Sequence, residues 1–143
     1  MNLQPLQIGK HTIKYPIFQG GMGLGISWDR LASAVSLNGG LGIISSVGTG
    51  YYEERKYASK ELNAKPYGSE NFYSRKGLQA LINNARKVCG DAPLGCNILC
   101  ASNDYARIAR DACEVGFNVI VSGAGFPTNL PEFTADFPDV ALV

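Results

Sequence analysis

At 143 residues, 45% hydrophobic and 17% charged, with a formal net charge of +1, the chain is the size of one domain with apolar residues enough for a core. Charges of both signs are spread along it, so no basic stripe points to nucleic acid and no acidic tail to a solvating segment. No apolar run approaches membrane-spanning length and the N-terminal MNLQPLQIGK lacks a signal-peptide core, so a cytoplasmic protein without a membrane partner is expected.

The chain opens on Leu6 to Ile13, where Gly9-Lys10 between short apolar arms suits a type II′ hairpin, able to plug one end of a larger fold. His11, the single histidine, falls in that hairpin and reads as a surface residue rather than a base. Pro16-Ile17-Phe18 follows as a first strand, its consecutive apolar residues pointing to burial on both faces. It runs into Gln19-Gly20-Gly21-Met22-Gly23, where glycines let the backbone approach a ligand more closely than a Cβ allows. A tight structural turn is the plain alternative. Ser27 is a candidate N-cap for a helix with Leu31, Ala34 and Val35 on its buried face, and Asn38-Gly39-Gly40 stops it.

Leu41-Gly42-Ile43-Ile44 is the second strand, ending in Ser45-Ser46. A charged helix is expected over Tyr51 to Leu62, broken by Pro66-Tyr67-Gly68. A stronger one covers Tyr73 to Cys89, with Leu78, Leu81, Ile82, Ala85 and Cys89 at helical spacing. Pro93 to Leu99 is the third strand, apolar except for Asn97. Ser102-Asn103-Asp104 starts a helix burying Tyr105, Ile108, Ala109, Ala112 and Cys113. Phe117 to Ser122 is the fourth strand, entering Gly123-Ala124-Gly125. Asn129-Leu130-Pro131 opens another helix, and Val140 to Val143 reads as the beginning of a fifth strand. Of the cysteines Cys89, Cys96, Cys100 and Cys113, none forms a C-x-x-C pair, so reduced core thiols are expected and no metal site.

This order predicts a hairpin, four βα units and the start of a fifth strand, and so a parallel α/β sheet. Gln19-Gly20-Gly21, Ser45-Ser46, Asn97 and Ser122-Gly123 all fall at the C-terminal ends of strands, the edge where parallel α/β folds bind ligands. Asn97 also has a bland reading, as a buried amide satisfied within the protein.

PIFQGGMG at Pro16 to Gly23, GGLGIISS at Gly39 to Ser46, CNIL at Cys96 to Leu99 and SGAG at Ser122 to Gly125 together resemble nitronate monooxygenase, a family also known as 2-nitropropane dioxygenase. Flavin-type enoyl-ACP reductases share much of the pattern. The resemblance implies a (β/α)₈ TIM-type barrel binding FMN at its strand ends, with residues 1–143 its N-terminal half as a single partial domain. It places Gln19, Gly20, Gly21, Met22 and Gly23 against the flavin, Asn97 at the isoalloxazine edge, and Ser122 and Gly123 along the pocket. It implies oxidation of an alkyl nitronate by molecular oxygen. The family's catalytic histidine, in a Gly-Gly-His stretch after the sixth strand, is expected beyond Val143. A complete barrel takes roughly 250 residues. The 143-residue chain alone is therefore expected to be inactive, and either to self-associate through open sheet edges or to pair with the rest of the barrel. A non-catalytic half-barrel module is the reading from outside the enzymes.

Overall fold

In a computed structural model, residues 3–52 and 72–143 are described. The chain begins with an antiparallel hairpin of β1 (Leu6–Ile8) and β2 (His11–Ile13), turning at Gly9 with φ +54°. α1 (Asp29–Leu37), β3 (Gly42–Ser45), α2 (Arg75–Cys89), β4 (Leu94–Leu99), α3 (Tyr105–Glu114), β5 (Val119–Gly123), the single turn α4 (Leu130–Phe133) and β6 (Ala141–Leu142) follow. Strands β3, β4, β5 and β6 pair in that order as a four-stranded parallel sheet. The predicted α/β class and strand order hold. Residues 49–52 are helical, and the rest of the helix expected over Tyr51 to Leu62, with its Pro66-Tyr67-Gly68 stop, lies outside the described residues.

Strand alternation divides the core into two. On the helix side, Ile44, Leu94, Cys96, Ile98 and Ile120 pack with Leu78, Leu81, Ile82, Ile108, Ala112 and Phe117. Leu78, Leu81, Ile82, Ile108 and Ala112 are helical positions that the spacing predicted, and Ser74 caps α2 by accepting from the Gly77 N–H. On the opposite face Ile43, Val119 and Ala141 meet Leu41 and the hairpin residue Ile13 in a smaller cluster. The hairpin thus closes the N-terminal end of the sheet. A Cβ on Gly9 would lie 3.3 Å from that of Ala141, and the His11 ring Nε2 is 2.9 Å from the Asp139 carbonyl oxygen. Lys10 adds an ion pair to Asp139 at 2.6 Å. All four cysteines are free, three of them buried.

Three expectations fail. Pro16-Ile17-Phe18 is not a doubly buried strand. It joins the sheet through one parallel bridge, Phe18 to Leu41, and both Ile17 and Phe18 are exposed. Among the described residues this segment has a partner on one side only, so consecutive apolar residues here signal an edge. Ser27 is not the N-cap of α1: Trp28 holds that position without a side-chain cap bond, and Asp29 is the first helical residue. Nor is the expected face buried. Ala32, Ser33 and Ser36 face inward, while Leu31 and Ala34 are exposed and Val35 is half-buried. The cause is a close approach: a Cβ on Gly42 would sit 1.9 Å from the Ala32 carbonyl oxygen, so only small side chains fit between α1 and β3. The Ser36 hydroxyl fills the contact, donating to the Pro93 carbonyl at 2.6 Å and accepting from the Gly42 N–H at 3.0 Å.

Candidate functional site

At the C-terminal edge of the sheet, the segment after Phe18 crosses the end of β3. The Gln19 N–H donates to the Leu41 carbonyl at 3.0 Å. The Gln19 side chain extends the ladder by one rung, its Oε1 accepting from the Ile43 N–H at 3.2 Å and its Nε2 donating to the Ile43 carbonyl at 3.1 Å. A primary amide has the same donor and acceptor as a peptide, so it can stand in for a strand residue. Gln19 is therefore engaged with the protein through both amide atoms.

The glycine loop then lies on Asn97. A Cβ on Gly21 would be 2.3 Å from the Asn97 Cβ, 2.6 Å from its Cγ and 2.9 Å from its Oδ1. Asn97 is paired in register between Ser45 and Val121, on the face away from the helices, and its Nδ2 makes a long 3.4 Å bond to the Val121 carbonyl. Its Oδ1 accepts no hydrogen bond among the described residues. The loop and the lone polar residue of β4, far apart in sequence, are thus in contact. A Cβ on Gly23 would be 2.9 Å from Val47 Cγ1, which fixes the far end of the loop.

Gly20 and Gly123 differ from these two. Neither has a positive φ, and among the described residues a Cβ on either meets nothing within 4 Å. Among the described residues, packing and backbone conformation give no reason for glycine at these positions, which leaves room beside them for a ligand. Met22, between the glycines, is exposed.

Ser122 is placed differently from Asn97. Its hydroxyl lies 2.6 Å from the Tyr105 hydroxyl and 3.1 Å from the Cys100 Sγ, which puts it in a polar cluster with α3 and the β4 end. Burial raises the Tyr105 pKa, with the Ser122 hydroxyl opposing and Cys100 adding to the rise. Alternation along β5 puts Val121 with the small inner cluster, and Ser122, the next residue, on the helix side.

Ser27 escapes sequence reasoning. It is fully buried, its hydroxyl donating to the Gly20 carbonyl at 2.7 Å and accepting from the Met22 N–H at 2.9 Å. Its position seven residues past Gly20 and five past Met22 was the available signal, but capping chemistry gave an equally good account. A cavity of about 470 Å³, lined by Trp28, Asp29, Arg30, Leu31 and Tyr52 with Gly25 and Ile26, shares no residue with the Gly20–Asn97 edge. We place the candidate site at the strand ends, where the glycine loop meets Asn97.

The donor and acceptor set at the edge suits a flat heteroaromatic ring: open backbone at Gly20 and Gly123, the amide N–H groups of Gly21 and Gly23 without partners among the described residues, and the free Asn97 Oδ1. The nitronate monooxygenase family model matches residues 4–143. No curated protein matches the chain. Among solved structures, FabK from Thermotoga maritima and a point mutant of it each match with a TM-score of 0.64 and 25% identity, over 91% of this chain. The chain spans 33% and 35% of those two structures, about a third of their length. With the family pattern running through the sheet and its glycine-lined edge, the chain belongs to the nitronate monooxygenase family of flavin-dependent oxidoreductases.

Proposed function

We propose that this chain is the FMN-binding N-terminal half of a (β/α)₈ barrel that oxidises alkyl nitronates with molecular oxygen. The observation that carries the reading is the pair Gly20 and Gly123, glycines that neither φ nor packing against the described residues requires, at the same strand-end edge as the Asn97 amide. The flavin supplies the electron-carrier chemistry when bound. The residues that would hold it are the backbone of Gly20 to Gly23, the Asn97 amide through its Oδ1, and Gly123 on β5. Gln19 serves by holding the loop to β3 rather than by touching the cofactor, and Ser122 serves through the Tyr105 and Cys100 cluster. The remaining strands, and the proton-transferring histidine the family uses, would come from outside these 143 residues.

Titrating the purified chain with FMN tests the reading. We expect saturable binding, weakened roughly two- to tenfold by Asn97→Ala, the ~0.5–1.5 kcal/mol net worth of a neutral hydrogen bond. Gly20→Ala should also weaken binding while leaving the fold unchanged. Wild-type chain that takes up no FMN would refute it. Flavin-type enoyl-ACP reductase is a second reading, because that class shares much of the same pattern and FabK matches this chain in fold. Oxygen uptake with an alkyl nitronate, against NAD(P)H oxidation with an enoyl thioester, separates the two in a protein with a complete barrel.

A further inference from the structure

Ser27 makes four hydrogen bonds, and they bear on the direction of the loop's free N–H groups. Its hydroxyl donates to the Gly20 carbonyl at 2.7 Å, a carbonyl that also accepts from Gln19 Nε2 and the Met22 N–H, both at 3.1 Å. The Ser27 N–H donates to the Met22 carbonyl at 2.9 Å. The hydroxyl accepts from the Met22 N–H at 2.9 Å, and the Ser27 carbonyl accepts from the Ser45 N–H at 2.9 Å, tying the unit to the end of β3. In a planar trans peptide, a carbonyl and the N–H of the next residue point in opposite directions. Drawing the Gly20 and Met22 carbonyls toward Ser27 therefore turns the N–H groups of Gly21 and Gly23 away from it. Neither of those two N–H groups donates to any acceptor among the described residues.

We infer that Ser27 is a positioning residue of the cofactor site, which aims the Gly21 and Gly23 amides outward by holding the two preceding carbonyls. This rests on the flavin reading above. Ser27 touches no cofactor itself: it is fully buried beneath the loop. The competing account is that Ser27 is an ordinary buried serine contributing only stability. Ser36 supplies the comparison. It is also buried, and its hydroxyl also makes two bonds, donating to the Pro93 carbonyl and accepting from the Gly42 N–H, away from the glycine loop.

Ser27→Ala and Ser36→Ala each delete one buried hydroxyl with two hydrogen bonds. In the full chain, FMN titration followed by flavin fluorescence should show about tenfold weaker binding for Ser27→Ala, the equivalent of one such bond. Ser36→Ala should leave the dissociation constant within a factor of two, although both variants lose thermal stability. Amide hydrogen exchange gives a readout without cofactor: the Met22 N–H should lose about tenfold protection in Ser27→Ala and none in Ser36→Ala. If Ser27→Ala folds poorly, Ser27→Cys keeps the volume while weakening the same bonds. Equal FMN binding by Ser27→Ala and wild type overturns the inference, and so does equal weakening by Ser36→Ala. A wild-type chain that binds no FMN refutes the flavin reading instead. The holding of the loop is then judged at the Met22 amide, where unchanged exchange refutes it.

Discussion

Gly21→Ala puts the contact between the glycine loop and Asn97 under the most direct strain. The added Cβ would stand 2.3 Å from the Asn97 Cβ and 2.6 Å from its Cγ. Carbon atoms rest at about 3.5–4.0 Å, so the pair must separate by more than an ångström. The Asn97 Cβ is anchored in the middle of the sheet, between β3 and β5, so a side-chain rotation cannot relieve it. The loop must lift instead, against the Ser27 bonds, at a cost in the ~1–3 kcal/mol range of overpacked sites. Thermal denaturation should show that loss. FMN titration of the folded variant should show binding at least tenfold weaker, since the lifted loop no longer sits on the amide. Asn97→Gly removes all three atoms the new Cβ would meet. In the double variant the stability losses should therefore be less than additive, a coupling expected only of residues in contact. Unchanged stability and unchanged FMN affinity in Gly21→Ala, or strict additivity in the double variant, would refute the packing of loop on Asn97.

Three further outcomes follow from the structure. Burial pushes the Cys113 thiol up to about 11 from its ordinary 9.0, Arg110 opposing and Glu114 assisting. Its contribution to stability is thus present below pH 9 and lost as pH rises toward 11, so urea midpoints should fall more steeply over that range than those of Cys113→Ala; parallel profiles would count against it. Asp111 is buried, accepts the Tyr73 hydroxyl at 2.9 Å and an Arg75 N–H at 3.1 Å, and its carboxylate adds to the burial that raises the Tyr73 pKa. Asp111→Ala should cost ~1.5–3 kcal/mol by denaturant unfolding, the range for hydrogen bonds to a charge, with FMN affinity unaltered; a neutral effect would show the cluster to be loose. Finally, Ile17, Leu31 and Leu37 are exposed apolar side chains on the bridged segment and α1, so the chain should self-associate in sedimentation velocity at micromolar concentration. A monomer there would mean that these exposed side chains are tolerated in water.

Among the described residues no helix is long and apolar enough to cross a membrane, in keeping with the absence of such a run in the sequence. Local patterns alone set much of the rest. Leu78, Leu81, Ile82, Ala85 and Cys89 define the buried stripe of α2, because helical spacing is a property of the chain itself. The Gly9 turn, the Gly39 helix end with φ +91°, and the order of parallel strands were likewise legible. Asn97 stood out as the single polar residue of an apolar strand, and the glycine cluster marked the loop above it. Other features depended on what meets what. The buried face of α1 was decided by the approach of Gly42 to the Ala32 carbonyl, which selects small residues over the more hydrophobic Leu31. Register sent Ser122 to Tyr105 and left Asn97 on the opposite face, since a strand turns every other side chain the other way. Ser27 carries the same residue type a helix cap would need, and only the folding of the loop back over it made its hydroxyl the anchor of Gly20 and Met22. A single chain records which hydrogen bonds a residue can make; the tertiary structure selects among them, because the partner is supplied by whichever segment packs within about 3 Å.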